Sequence, residues 1–229
     1  MPCNFSYSHY EKILKDAKRL GYRIVTCGDF AKKQPKPPYI VLRHDIEFYP
    51  DRAAELAKIE RRLGVKSTYF VRLHANEYNP FGYKTYDALK IIASCGHEIG
   101  LHEESTDFSR IFREDLAGVL RRDKAVLELL LGKKVRGFSS HRDFTGYDNL
   151  ALWRKNNPKK YGFEYHAYED RFFKGATYVS DSLVSWKSYE NGRLTHRKDC
   201  LCKYVAERKP RIYALVHPRG WHQHSYHTR

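Results

Sequence analysis

The sequence predicts an α/β protein: an incomplete (β/α) barrel of about seven parallel strands, with an open doubly wound α/β sheet as the alternative. Three observations carry this expectation. From Tyr39 onward, short β-like runs alternate with helix-like ones, as repeated βαβ units require. No Gly-Ser-rich linker divides the 229 residues, so residues 1–229 read as one domain. Four β-like runs end in a histidine or a carboxylate: LRHDIE (Leu42 to Glu47), GHEIGLH (Gly96 to His102), the run ending in HRD (His141 to Asp143) and LVHPRG (Leu215 to Gly220). The strands of a parallel sheet open their carboxyl ends on one face, so these endings predict one site. A dinucleotide-binding fold is disfavoured, because no G-x-G-x-x-G follows a strand.

Each element has its own signal. Tyr10, Ile13, Leu14, Ala17 and Leu20 recur at helical spacing, predicting a helix over Tyr7 to Leu20 that stops at Gly21. Tyr39 to Leu42 is β-like after a Pro-rich loop. Pro50 to Leu63 reads as a helix with proline in its first turn and Gly64 beyond its end. Ser67 to Leu73 should be a strand, Tyr86 to Ala93 a helix, Glu98 to Leu101 a strand and Arg113 to Leu131 a long helix ending at Gly132. Further strands are expected at Val135 to Phe138, Phe163 to Ala167, Thr177 to Val179 and Ile212 to Val216, with helices near Leu150 to Lys155 and Cys200 to Arg208.

Composition narrows the partners. The 42 Lys and Arg against 27 Asp and Glu leave a net charge of +15, which favours anionic ligands such as phosphates. The charge is spread, and KKQPKPP (Lys32 to Pro38) and NNPKK (Asn156 to Lys160) read as solvated loops. Nucleic-acid binding is not expected, since no recognised module is present. Five cysteines, Cys3, Cys27, Cys95, Cys200 and Cys202, are an odd number in a chain of this length and read as reduced thiols. Cys200 and Cys202 have no second pair at zinc-ribbon spacing. The amino-terminal stretch is amphipathic and charged rather than signal-like, and no run reaches the ~20 apolar residues of a membrane span. These features predict a cytoplasmic protein. The carboxy-terminal WHQHSYHTR reads as a polar tail.

Strand parity sorts the candidate residues. Arg43, Asp45 and Glu47 should point one way and His44 and Ile46 the other, which puts two carboxylates together. Glu98, Gly100 and His102 share a face in the same manner, with Gly96 and Gly100 where the chain must turn or leave room. His102, His141 and His217 then stand at equivalent strand ends. Neutral imidazoles with a carboxylate are the usual ligands of a catalytic zinc or similar ion, and a histidine outside the coordination shell can donate a proton to a leaving group.

These motifs resemble the polysaccharide deacetylases, metal-dependent carbohydrate esterases with the NodB-homology fold, over about Tyr39 to His217. GHEIGLH is similar to the start of the family's H-x-x-x-H motif, and LRHDIE stands where the family has T-F-D-D-G, resembling a divergent R-H-D-x-D form. STYFV (Ser67 to Val71) is similar to its second strand, GFSSHRD to its Arg-containing third motif, VSDSLVSW to its Asp and Trp motif, and ALVHP to the strand carrying its catalytic His. The chain departs from the family where the second metal histidine is usual: Thr106 stands there, and His141 is inferred to replace it.

The resemblance implies one divalent ion, zinc before others, with Asp45, Glu47, His102 and His141 as candidate ligands. It implies a catalytic set of Asp45, His217 and Asp181, with His44 as the base in a one-residue shift of the alignment that makes Asp45 a ligand. Arg43, Arg142 and Trp186 become candidate substrate contacts. The activity implied is hydrolysis of an N-acetyl or other N-acyl group from an amino sugar. A nucleotide- or lipid-linked precursor of a surface polysaccharide suits both the charge and the expected location. Hydrolysis of another non-peptide C–N bond, or non-catalytic binding of a carbohydrate or phosphate on the same fold, are the alternatives.

Overall fold

A computed structural model describes residues 4–142, 146, 153 and 156–223. The fold is mixed α/β, built on one ten-stranded, mostly parallel sheet that does not close. The strands are β1 (Arg23–Val25), β2 (Tyr39–Ile46), β3 (Thr68–Arg72), β4 (Glu98–Glu103), β5 (Gly137–Ser140), β6 (Tyr165–His166), β7 (Thr177–Ser180), β8 (Lys187–Glu190), β9 (Arg193–Leu194) and β10 (Arg211–Val216). Their order is β6-β5-β4-β3-β2-β10-β7-β8-β9, with β1 also paired to β2. Parallel pairing runs from β6 to β7, so seven strands on this path are parallel, as the sequence predicts, and β1 is an eighth. The antiparallel hairpin of β8 and β9 was not anticipated.

The parity of β2 explains the layers. Ile40, Leu42 and Ile46 face the helices, while Tyr39 and Val41 face an aromatic interior shared with Phe70, Tyr165, Tyr178 and Tyr213. The sheet curves around that interior, so that Arg43 of β2 and Tyr213 of β10 both donate to the carbonyl of Ala167, just past β6, at 3.5 and 2.7 Å. This curvature is the incomplete-barrel form. Gly100 makes it possible, since a Cβ there would lie 2.5 Å from the Phe70 ring and 2.9 Å from the Gly137 carbonyl oxygen.

The helices are α1 (Tyr7–Arg19), α2 (Cys27–Lys32), α3 (Pro50–Arg62), α4 (Tyr83–Ser94), α5 (Ser105–Phe112), α6 (Leu116–Leu131), α7 (Asp170–Phe173) and α8 (Leu201–Ala206); α1, α3, α4, α6 and α8 pack on the outer face, while Phe30 of α2 and Phe172 of α7 join the aromatic interior. The Ser6 side chain accepts from the His9 amide to start α1, and Pro50 stands in the first turn of α3, where its missing N–H costs no helical bond. The long helix expected from Arg113 begins instead at Leu116. Asp115 caps it by accepting from Gly118 N–H, and Arg113 takes a left-handed conformation that ends α5. The expected helix near Leu150 to Lys155 and most of the carboxy-terminal tail lie outside the described residues. Among the described residues, no helix is long and apolar enough to cross a membrane.

Candidate active site

The carboxyl ends of β2, β4, β5 and β10 deliver Asp45, Glu47, His102, His141 and His217 to one cavity of about 420 Å³. The same cavity takes Arg72, Tyr168, Tyr178, Arg142 and Arg219. A larger depression of about 980 Å³ around Arg136, Trp153 and Lys159 has none of these strand-end groups.

Three histidines share one design: Nδ1 is committed to a protein partner and Nε2 is turned inward. His102 Nδ1 lies 3.0 Å from the carbonyl oxygen of Ser139, which can only accept, so Nδ1 carries the hydrogen. His141 Nδ1 is 3.1 Å from Glu104 Oε1, and His217 Nδ1 is 2.8 Å from Asp181 Oδ1. The hydrogen-bonded partners of His102 and His217 fix the tautomer and aim the other nitrogen, while the Glu104 contact of His141 is an ion pair. The three Nε2 atoms then surround Glu47 Oε1 at 3.8 Å (His102), 3.7 Å (His141) and 3.8 Å (His217).

These separations are too long for hydrogen bonds and suit a shared ion. Bonds of about 2.0–2.2 Å in a tetrahedral zinc site set ligand atoms roughly 3.4 Å apart. Glu47, His102 and His141 form a cluster whose donor atoms all lie within 4.8 Å of one another. His102 Nε2 is buried and has no hydrogen-bond partner among the described residues. An orphaned imidazole nitrogen beside a carboxylate fits a divalent ion, and the donor set of two nitrogens and one oxygen suits zinc and its neighbours in the first transition row.

Asp45 stands beside this cluster. Its Oδ2 accepts from Arg43 Nη2 at 2.9 Å and lies 3.8 Å from His102 Nε2, while Oδ1 is buried without a partner among the described residues. Arg43 is fully buried. Tyr168 and Tyr213 accept from it at 2.7 and 2.9 Å, and its guanidinium sits 4.4 Å from the Tyr168 ring centroid. It therefore orients Asp45 from within the barrel, and the expectation that it contacts substrate does not hold.

The electrostatics follow from this crowding. Burial pushes the Glu47 carboxyl up, but His102, His217 and His141 outweigh it and hold the group well below the ordinary carboxylate range. Burial opposes protonation of His102, and Asp45 and Glu47 reverse the balance and raise it. Burial likewise opposes protonation of His217, and Asp181 with Asp45 and Glu47 outweighs it and raises the group. His141 moves down, since burial and the nearby His102 charge exceed the pull of Glu104.

Two further expectations are corrected. His44 alternates to the opposite face of β2, where its Nε2 meets Glu60 at 2.7 Å and its ring stacks on Tyr69 at 4.3 Å, so it does not reach the cavity. Trp186 packs on Phe5 and Trp221 in the outer core and is absent from the cavity wall. Arg142 does line the cavity, Asp143 lies outside the described residues, and Thr106 is buried in α5 away from the cavity wall.

Sequence reasoning missed Glu104, Arg72, Trp221 and Arg219. Glu104 shares the parity of His102 and is bound by Arg72 at 2.8 Å as well as by His141. Trp221 Nε1 donates to Asp181 Oδ2 at 2.8 Å, and Arg219 Nη1 lies 3.6 Å from Glu47 Oε2. Parity alone could have found Glu104.

The fold is that of solved polysaccharide deacetylases. A protein described as a polysaccharide deacetylase from Bacillus anthracis is similar with a TM-score of 0.51 at 14% identity, over 92% of this chain and 56% of that one. A polysaccharide deacetylase from Bacillus cereus is similar with a TM-score of 0.50, again at 14% identity and the same coverage. A protein described as a pseudoenzyme of carbohydrate esterase family 4 from Bacillus anthracis is similar more weakly, with a TM-score of 0.46 at 14% identity over 78% of this chain and 54% of that one. The chain thus spans little more than half the length of these three proteins. No family model matches the sequence, and no curated protein does. Likeness at this identity defines the fold, and activity has to be argued from the site.

Proposed function

We propose that this chain is a metal-dependent deacetylase that hydrolyses the N-acetyl, or another N-acyl, group of an amino sugar. The observation that supports it is the meeting of Asp45, Glu47, His102, His141 and the His217–Asp181 pair at the strand ends in one cavity. Glu47, His102 and His141 would hold the ion, with Asp45 one step behind them. A divalent ion bound there supplies polarisation of the amide carbonyl and acidification of a water.

The side chains supply the rest. Asp45, oriented by Arg43 and with Oδ1 unpaired among the described residues, accepts the proton of the attacking water. His217 holds its Nδ1 hydrogen on Asp181 and offers a proton at Nε2 to the departing amine. Asp181, itself fixed by Trp221, keeps that imidazole oriented and favours its charged form. Arg142 and Arg219 line the cavity and the chain carries a net charge of +15, which favours a phosphate-bearing sugar such as a nucleotide- or lipid-linked precursor made in the cytoplasm.

The test is a panel of amides assayed for acetate and for ammonia, comparing kcat/KM for a nucleotide-linked N-acetyl sugar and a neutral N-acetylglucosamine oligomer at two salt concentrations. Acetate release with a preference for the charged sugar that weakens in salt supports the proposal. Equal turnover of both sugars overturns the precursor part, and ammonia without acetate overturns deacetylation.

A further inference from the structure

We propose that His9, Cys200 and Cys202 form a second metal site, separate from the cavity, that takes a thiophilic d10 ion of the zinc class and fastens α1 to α8. His9 Nε2 lies 3.3 Å from Cys200 Sγ, and the three donor atoms all fall within 4.8 Å of one another. In a tetrahedral zinc site, bonds of about 2.3 Å to sulfur and 2.0–2.1 Å to nitrogen set N and S roughly 3.6 Å apart and two sulfurs roughly 3.8 Å apart. The cluster is therefore within a side-chain adjustment of a coordinating arrangement.

The meeting is long-range. His9 sits in the first turns of α1, Cys200 immediately precedes α8, and Cys202 is the second residue of that helix, so 191 positions separate His9 from Cys200. Packing brings them together: Tyr10, Ile13 and Leu14 of α1 share one apolar cluster with Leu201, Tyr204 and Val205 of α8. Two sulfurs and an imidazole nitrogen, with no carboxylate in the group, select a soft ion over magnesium or calcium. His9 also lines a surface cavity of about 470 Å³ with Ser6, Ser8 and Glu11.

None of the three residues borders the active-site cavity, so this site is independent of the proposed chemistry. Its role is to staple the amino-terminal helix to the carboxy-terminal part of the barrel. The His9 ring stacks at 6.5 Å on Trp221, the residue that holds Asp181, so the staple lies directly behind the proton-donating pair.

Cobalt(II) reads the two sites separately, because only this one offers thiolates. Titrating cobalt into reduced, chelator-stripped protein should raise a near-ultraviolet sulfur-to-cobalt charge-transfer band. The band should survive in the His102→Ala/His141→Ala variant and vanish in the Cys200→Ser/Cys202→Ser variant. His9→Asn keeps both thiols and should weaken cobalt binding about tenfold or more, which serves if the double serine variant does not fold. A band that is missing in the wild type, that persists in Cys200→Ser/Cys202→Ser, or that depends on Cys95 instead would overturn the proposal. Unchanged cobalt affinity in His9→Asn would overturn it equally.

Discussion

Replacing Asp181 by Asn isolates the proton-donating pair. The Asp181 carboxylate is buried and accepts three hydrogen bonds: from His217 N–H and Nδ1–H at 2.8 Å each, and from Trp221 Nε1–H at 2.8 Å. An amide has one acceptor oxygen, so its NH2 must face either the indole N–H or the imidazole N–H. Leaving such a buried donor unpaired costs about 1–3 kcal/mol. The charge that favours protonated His217 disappears as well. General-acid catalysis contributes roughly 10²–10⁴-fold, so kcat should fall by about 10²-fold or more while metal content stays unchanged. The pH dependence has a definite sign. Burial lowers the His217 pKa, but Asp181, with Asp45 and Glu47, raises it further, and the acid must be protonated to work, so activity is lost as pH rises through that pKa. In Asp181→Asn the alkaline limb should move to lower pH. The stabilising contribution of this pair, complete below the ordinary histidine value of 6.5, should likewise fade as pH rises through the raised pKa, so the stability gap between wild type and variant narrows. Acetate release across pH, with metal content measured in parallel, is the assay. A variant with kcat within about threefold of wild type and an unmoved alkaline limb would refute the assignment of His217.

Other perturbations test other parts of the molecule. His102→Ala and His141→Ala, each made in the Cys200→Ser/Cys202→Ser background, should abolish stoichiometric zinc by elemental analysis; retained zinc in both would refute the ligand set. Gly100→Ala drives a methyl into the Phe70 ring and should cost about 1–3 kcal/mol by urea unfolding, as overpacking does; an unchanged midpoint would mean the sheet can relax there. Glu60 accepts from Tyr10, Ser67 and Tyr69, and although burial raises its pKa, His44 and His97 pull it from its ordinary 4.5 down to about 2. Its contribution is present above 4.5 and lost as pH falls toward 2, so Glu60→Gln should be less stable at pH 7 and show a flatter decline in acid.

The sheet and the face of its site were legible because strand alternation is a local property. The parity of Arg43, Asp45 and Glu47 against His44 follows from β2 alone, and the observed strand, longer than expected at Tyr39–Ile46, preserves it. That is why His44, admitted through an alignment shift, is turned toward Glu60 instead. What escaped depends on contacts between distant segments. The Trp of VSDSLVSW could be placed on the groove by motif, yet Phe5 and Trp221 claim Trp186 for the outer core. Arg43 stands as a candidate substrate contact by its motif, whereas curvature of the sheet encloses it among Tyr168, Tyr213 and Asp45. The start of α6 was misplaced because the left-handed turn at Arg113 leaves no apolar signature, and β8 and β9 are too short for one. His9 and Cys200 meet only through helix packing.

The most direct measurement is acetate released from an N-acetylated amino sugar by the Cys200→Ser/Cys202→Ser protein, first stripped of metal and then given one equivalent of zinc. Deacetylation at the Glu47, His102 and His141 site predicts no turnover when stripped, restoration by zinc with one free amine formed per acetate, and no restoration in the His102→Ala derivative. Zinc bound at one equivalent with no acetate from any acetylated sugar, or equal release by stripped and loaded protein, would contradict it.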